Sequence, residues 1–224
     1  MTRGILLAGN ESTLSRAIEA ETAARVNQFA AALIPNRLST ANAAVKQSTP
    51  EMKARISLDW NPASPLSART LALAAENRLK QINTAILICS PPSIRSSTAD
   101  IPLSDVEIMT NDHIKGWFFL VKELAAVFTE RNNGILALVY HDIASSGKDD
   151  AAELLGPSAI ASFRALTNGL LSAAHNERYV TVGFSTSDTG NEAAFAAFIY
   201  KSLDELTNRS NGKLFKFGKF SFFK

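Results

Sequence analysis

Cysteine is almost missing from this 224-residue chain, where Cys89 stands alone. A single cysteine excludes an internal disulfide framework and fits a reducing, cytoplasmic setting. Because Cys89 closes the strand-like run Ala85-Ile-Leu-Ile, it reads as a buried structural thiol rather than a nucleophile. An excess of one charge is also missing. The formal net charge is +2, too small to argue for nucleic acid as a partner. No window reaches the roughly 18 consecutive apolar residues of a membrane helix. The apolar start Gly4-Ile-Leu-Leu-Ala is only a few residues long and runs into Gly-Asn-Glu, unlike a signal peptide. The expectation is therefore a cytoplasmic protein with no nucleic-acid and no membrane partner. There are no internal repeats and no linker long enough to divide domains.

What the chain does have is alternation. Hydrophobic residues make up 46% and charged residues 20%, enough for one sizeable core. Short apolar runs at Gly4–Ala8, Phe29–Ile34, Arg55–Leu58, Thr84–Ile88, Ile135–Val139, Tyr179–Phe184 and Lys213–Phe217 read as strands. Between them lie helical patterns at Leu14–Val26, Pro65–Leu79, Asp105–Thr129, Ser158–Ala174 and Asn191–Leu206. The long helix shows an apolar face through Ile108, Ile114, Phe118, Val121, Leu124 and Phe128. Ser39–Lys53 is weakly patterned, a short helix and a loop. Strands alternating with helices of this length imply right-handed crossovers and a parallel sheet covered on both faces. The expected fold is α/β: a doubly wound, mostly parallel, Rossmann-like sheet of seven strands in a single domain over residues 1–224.

In such folds the first strand–turn–helix carries glycines that let the backbone approach a pyrophosphate. Here the turn reads Ala8-Gly9-Asn10-Glu11-Ser12-Thr13-Leu14-Ser15, and only Gly9 is left. Thr13 and Ser15 add side chains and Glu11 adds a negative charge, while Ser12 or Thr13 can cap the helix, whose N-terminus still offers N–H groups to an anion. Gly9 and Ser12 are therefore candidate cofactor contacts, with a purely structural turn as the other reading. After the second strand comes Pro35-Asn36-Arg37 in place of a ribose-binding carboxylate. Arg37 is either a 2′-phosphate partner or a solvated arginine. The cofactor stays unidentified, with NADP expected over NAD if either binds.

The order of elements resembles the short-chain dehydrogenase/reductase family across nearly the whole chain. The residues that carry the likeness are AGNESTLS, LDWNP, AILICSPP, HIKGWFFLVKEL, GILALVYHD and ASFRALTNGLLSAA. The resemblance implies an NAD(P)-dependent oxidoreductase with a tyrosine acid/base, a lysine four residues on, a serine and a helix asparagine. It places the asparagine at His113, set by Gly116, and the serine at about His141. It places the tyrosine at Ile160 and the lysine at Arg164. Asp59 matches the adenine-side carboxylate, and also reads as a helix cap ahead of Pro62. The segment that runs along the cofactor falls near Ser90. No Tyr-x-x-x-Lys exists: Tyr140, Tyr179 and Tyr200 are followed four residues later by Ala144, Gly183 and Asp204. The segment Ser185–Asn191 is also too short for the family's substrate-covering insertion.

Replacement chemistry is open to several readings. His113, His141 and Asp142 can be drawn as a general-base or metal set, and Ser145 or Ser146 as a nucleophile, although no diagnostic spacing supports any of these. The tail Lys213–Lys224 interleaves lysine and phenylalanine, which fits a guarded edge strand or subunit contact, or else a membrane or single-stranded nucleic-acid contact. The expected function is a degenerate family member: a non-catalytic binding or scaffold protein, homo-oligomeric through its long helices and tail, with a small-molecule ligand possible. The alternative is an NAD(P)-dependent oxidoreductase with a rebuilt active site.

Overall fold

The computed structural model describes residues 4–35, 37–38, 54–142 and 153–218. The expected segment at 39–53 and the serines Ser145 and Ser146 lie outside the described residues, as do residues 219–224 of the tail. Seven strands, β1 (Ile5–Asn10), β2 (Phe29–Ile34), β3 (Arg55–Ser57), β4 (Thr84–Cys89), β5 (Ile135–His141), β6 (Val180–Thr186) and β7 (Leu214–Phe217), form one sheet in the order β3-β2-β1-β4-β5-β6-β7. Every neighbouring pair is parallel. Burial on both faces explains why β1, β4 and β5 read as continuous apolar runs.

Alternation along the strands sorts the core into two layers. Helices α1 (Thr13–Arg25) and α6 (Glu192–Asp204) cover one face, where Leu14, Ile18, Phe195 and Ile199 pack on Ile86, Ala137 and Val139. Helices α2 (Pro65–Leu79), α4 (Gly116–Arg131) and α5 (Leu155–Ala173) cover the other, where Leu71, Trp117, Leu120 and Phe163 pack on Leu87, Leu138 and Tyr140. A smaller apolar cluster of Leu38, Ile94, Met109 and Ala159 ties the segments after β2 and β4 to α5 and to α3 (Leu103–Thr110).

The helices start where their chemistry allows. Ser12 and Ser15 make a reciprocal capping box on α1. Ser64 accepts from the Ser67 N–H, with Pro65 in the first turn of α2. Helix α5 begins at Leu155, three residues earlier than the pattern predicts, because Pro157 is tolerated within a first turn.

Three further sequence expectations change. The predicted helix at Asp105–Thr129 is broken into α3 and α4 by a π-helical turn at Asn111–Lys115. The aromatic run Trp117-Phe-Phe leaves the buried stripe ambiguous by one position, and the structure puts Trp117 inside and Phe118 outside. The inner stripe also takes in Asp112 and His113, polar residues that a hydrophobic pattern assigns to solvent. In addition, β1 runs on through Gly9 and Asn10, so the polar turn begins only at Glu11.

Candidate functional site

Ligands of open parallel sheets bind outside the carboxyl ends of the strands, where the strand order reverses. Here that point lies between β1 and β4. Asn10, 4% exposed, reaches across it. Its amide donates to the Ser90 carbonyl and its Oδ1 accepts from the Ser90 N–H at 3.3 Å. Both backbone polar groups of Ser90 are thus held by Asn10. Gly9 is needed for packing: a Cβ there would sit 2.5 Å from the Ile88 carbonyl of β4. The Glu11 N–H donates to the Ile34 carbonyl at 2.9 Å, which leads the chain directly from β1 over β2.

The start of α1 is equally occupied. Ser12 Oγ accepts from the Ser15 N–H at 3.0 Å, and Ser15 Oγ from the Ser12 N–H at 2.8 Å. Beside them the Glu192 carboxylate, at the start of α6, accepts from Thr13 Oγ1 and from the Gly190 N–H, each at 3.3 Å. Backbone N–H donors, Glu192's own first and that of Gly190 after it, hold this carboxylate below its usual range, with Thr13 adding to the effect. A side chain of the protein therefore supplies negative charge near the helix end that would otherwise face an anion.

Arg37 is engaged as well. Its guanidinium holds Asp112 of the π-turn through bonds of 2.6 and 2.7 Å. Asp112 is 2% exposed, whereas the Arg37 side chain is 49% exposed. This pair explains how a carboxylate is tolerated on the inner face of the long helix. Asp59 is exposed, and its neighbour Trp60 is buried against Trp117 with ring centroids 5.4 Å apart. The adjacent Pro62 explains Gly116, where a Cβ would lie 2.4 Å from the Pro62 Cβ.

The two histidines are not brought together. His141 follows Val139 by two residues and so faces the α1/α6 side, where Glu192 acts on it. Burial lowers its pKa, and its Nε2 has no hydrogen-bond partner. His113 lies in the π-turn, packed against α5 on the other side of the sheet. Burial pushes its pKa down to about 4 against the opposing pull of Asp112, and its Nδ1 has no hydrogen-bond partner. Asp142 pairs with Arg164 at 3.0 Å, and Ile160 is half-buried against the α2/α4/α5 core. Among the described residues, no three His, Cys, Asp or Glu side chains come together in a way that could hold a metal, and no helix is long and apolar enough to cross a membrane.

Solved structures share this arrangement over nearly their whole length. A short chain dehydrogenase from Bacillus anthracis matches with a TM-score of 0.72 at 11% identity, covering 96% of this chain and 95% of that one. ElxO, in a structure with NADP bound, matches at 0.74 and 11%, covering 96% and 97%. Acetoin dehydrogenase YohF from Salmonella typhimurium matches at 0.70 and 11%, covering 96% and 94%. The fold is that of the short-chain dehydrogenases and reductases. No family model and no curated protein matches the sequence.

The short-chain dehydrogenase fold implies a nicotinamide dinucleotide, and the residues at the rim do not fit one. The diphosphate position beside α1 meets the Ser12–Ser15 box and Glu192, the adjoining ends of β1 and β4 are joined by Asn10, and the expected 2′-phosphate partner Arg37 is bound to Asp112. The sequence reading missed Asn10 and Asp112. Asn10 was detectable as the polar member of the otherwise apolar set Leu6, Ala8, Asn10. Asp112 was not, because its partner lies 75 residues away.

Proposed function

We propose that this chain is a degenerate member of the short-chain dehydrogenase/reductase family that binds rather than transfers hydride. The Asn10 pairing with Ser90 carries the reading, because it occupies the polar groups at the two adjoining strand ends across which a dinucleotide would lie. The absence of Tyr-x-x-x-Lys and the apolar Ile160 support it. An NAD(P)-dependent oxidoreductase with a rebuilt site is the second reading. It is favoured by one observation: Arg164 acts electrostatically on the Tyr140 phenol, with Ser185 nearby. Burial, reinforced by Asp142, pushes that phenol up, away from a working acid/base range.

Calorimetric titration with NADH and NADPH, separately, tests the proposal. The expected result is no heat and no thermal stabilisation; saturable micromolar binding of either would overturn it.

The protein is further proposed to be a cytoplasmic homo-oligomer. Support comes from the outward face of α4 and α5, where Phe118, Ala126, Ala161, Ala165 and Gly169 are exposed. Arg164 is the only charged residue in α5. Light scattering of the purified chain should give a multiple of the 24.1 kDa monomer; a monomeric mass at high concentration would remove this part of the proposal.

A further inference from the structure

The carboxyl rim is not the only concave surface. At the opposite end of the sheet, where β5 and β6 begin, lies an open cleft of about 360 Å³. Asn132, Asn133 and Gly134 lead from α4 into β5 along one wall. Glu177, Arg178 and Tyr179 lead into β6 along the other, with Asn211 beside them. The cleft has room because β7 starts late. Its first residue, Leu214, pairs with Gly183, so Val180, Thr181 and Val182 of β6 have no strand beside them on that side.

The walls are fixed from within. Asn132 caps α4 in the left-handed region at φ 52°, its N–H donating to the Phe128 and Thr129 carbonyls. Gly134, at φ 151°, runs so close to Phe128 that a Cβ would strike the ring. Asn211 spends its whole amide on the backbone: Oδ1 accepts from the Thr181 N–H at 2.8 Å, and Nδ2 donates to the Ala174 carbonyl at 2.9 Å. Arg178 Nη1 donates to Asn132 Oδ1 at 3.0 Å, which stretches the guanidinium from one wall to the other. A site already held in this way costs little to order when a ligand arrives.

What these bonds leave over is charge of both signs. Glu177 and Arg178 are exposed, and among the described residues neither has an ion-pair partner. They do not neutralise one another. Glu177 is extended, at φ −94° and ψ 154°, so the two successive side chains diverge. Arg178 keeps its other N–H groups, a planar fork that matches a carboxylate. The Glu177 carboxylate can only accept. After burial, it is the second cause that raises the Tyr179 pKa, so its negative charge acts on the inner wall of the cleft. A simple anion would be drawn to Arg178 and repelled by Glu177, and a simple cation the reverse. A molecule carrying both charges satisfies both side chains.

We propose that this cleft binds a small zwitterion with one carboxylate and one ammonium group, the carboxylate on Arg178 and the ammonium on Glu177. Free amino acids are the chemical class. The site goes beyond the reading above: it lies at the far end of the sheet from the rim, uses none of the rim residues, and stands whether or not a dinucleotide binds.

The test is a titration followed by nitrogen–proton NMR of the labelled chain near neutral pH, read at the Asn132 and Asn133 side-chain amides and the Arg178 Nε–H. The probes are glycine, β-alanine and 4-aminobutanoate, which carry both charges at increasing separation. Acetate and methylammonium, at the same ionic strength, carry one charge each. Saturable shifts confined to the cleft are expected with at least one zwitterion, with acetate and methylammonium each about tenfold weaker or more. Arg178→Gln and Glu177→Gln remove one charge each at exposed positions, and each is expected to weaken the best probe about tenfold. No saturation with any of the three zwitterions would overturn the proposal. Acetate binding as tightly as the best zwitterion would also overturn it, leaving an anion contact of Arg178 alone. Unchanged affinity in either variant would remove that side chain from the site and the proposal with it. The readout sits at the cleft and the nucleotide titrations read the rim, so the two proposals fail separately.

Discussion

The middle of the sheet and its carboxyl rim follow different rules. In the middle, Leu6, Leu87 and Leu138 on one face and Leu7, Ile86 and Val139 on the other are fully buried among apolar neighbours. At the rim, polar residues turn on one another: Asn10 on Ser90, Arg37 on Asp112, Arg164 on Asp142, and Glu192 with Thr13. Others, His113 and His141, keep a buried ring nitrogen with no partner. A parallel sheet must be apolar on both faces to exist, and that constrains the middle whatever the protein does. The rim is free of that demand, and in α/β folds it is where function resides. Here the frame matches dehydrogenases over 96% of the chain at 11% identity, while the rim residues are engaged within the protein. A likeness of frame therefore carries the fold and leaves the chemistry to the rim.

The comparison is broken most strongly at His113. Its folded pKa lies near 4 against an ordinary 6.5. Between those values the unfolded chain takes up a proton that the folded chain refuses, so stability is complete above pH 6.5 and is lost as the pH falls toward 4. The loss is about 3 kcal/mol for this residue, at 1.36 kcal/mol per unit. His141 is shifted in the same direction. Glu19, whose pKa burial raises despite the pull of Arg55, works with the opposite sign, so the measurement is the difference between wild type and His113→Gln. Urea unfolding between neutral pH and about pH 4.5 should show a steeper loss in wild type than in the variant. Parallel curves would mean that His113 charges freely and that the rim is as wet as any surface.

How much of this was legible follows from the range over which each feature is determined. The strands Phe29–Ile34 and Thr84–Cys89 are encoded by their own apolar runs, and Pro65 with Ser64 announces α2 within two residues. The parallel order follows from alternation. The placements of His113, His141 and Asp59 could be named from the resemblance, and that of Arg37 from its position after the second strand, but what each touches could not. Arg37 and Asp112 are 75 residues apart, Asn10 and Ser90 are 80, and Thr13 and Glu192 are 179. Local patterns do not carry pairings of that length. The π-turn was hidden for a related reason: it places Asp112 and His113 inward, which is tolerable only once Arg37 arrives from the segment after β2.

A smaller effect sharpens the comparison at Asn10. Asn10→Ala keeps β1 apolar and removes both bonds to Ser90, leaving the Ser90 N–H and carbonyl without their partner. The expected cost is about 2 kcal/mol, the penalty for unpaired buried backbone groups with some relief from solvent at the rim. A loss of that size in chemical unfolding, with no gain of NADH or NADPH binding, fits a rim in which several contacts, the Ser12–Ser15 box and Glu192 among them, each exclude the diphosphate. The opposite outcome is the informative one. If Asn10→Ala unfolds at the wild-type denaturant concentration and now binds NADPH, the bridge is a plug rather than a strut. The cradle at α1 would then be intact beneath it, and the rim would be a nucleotide site closed by one side chain.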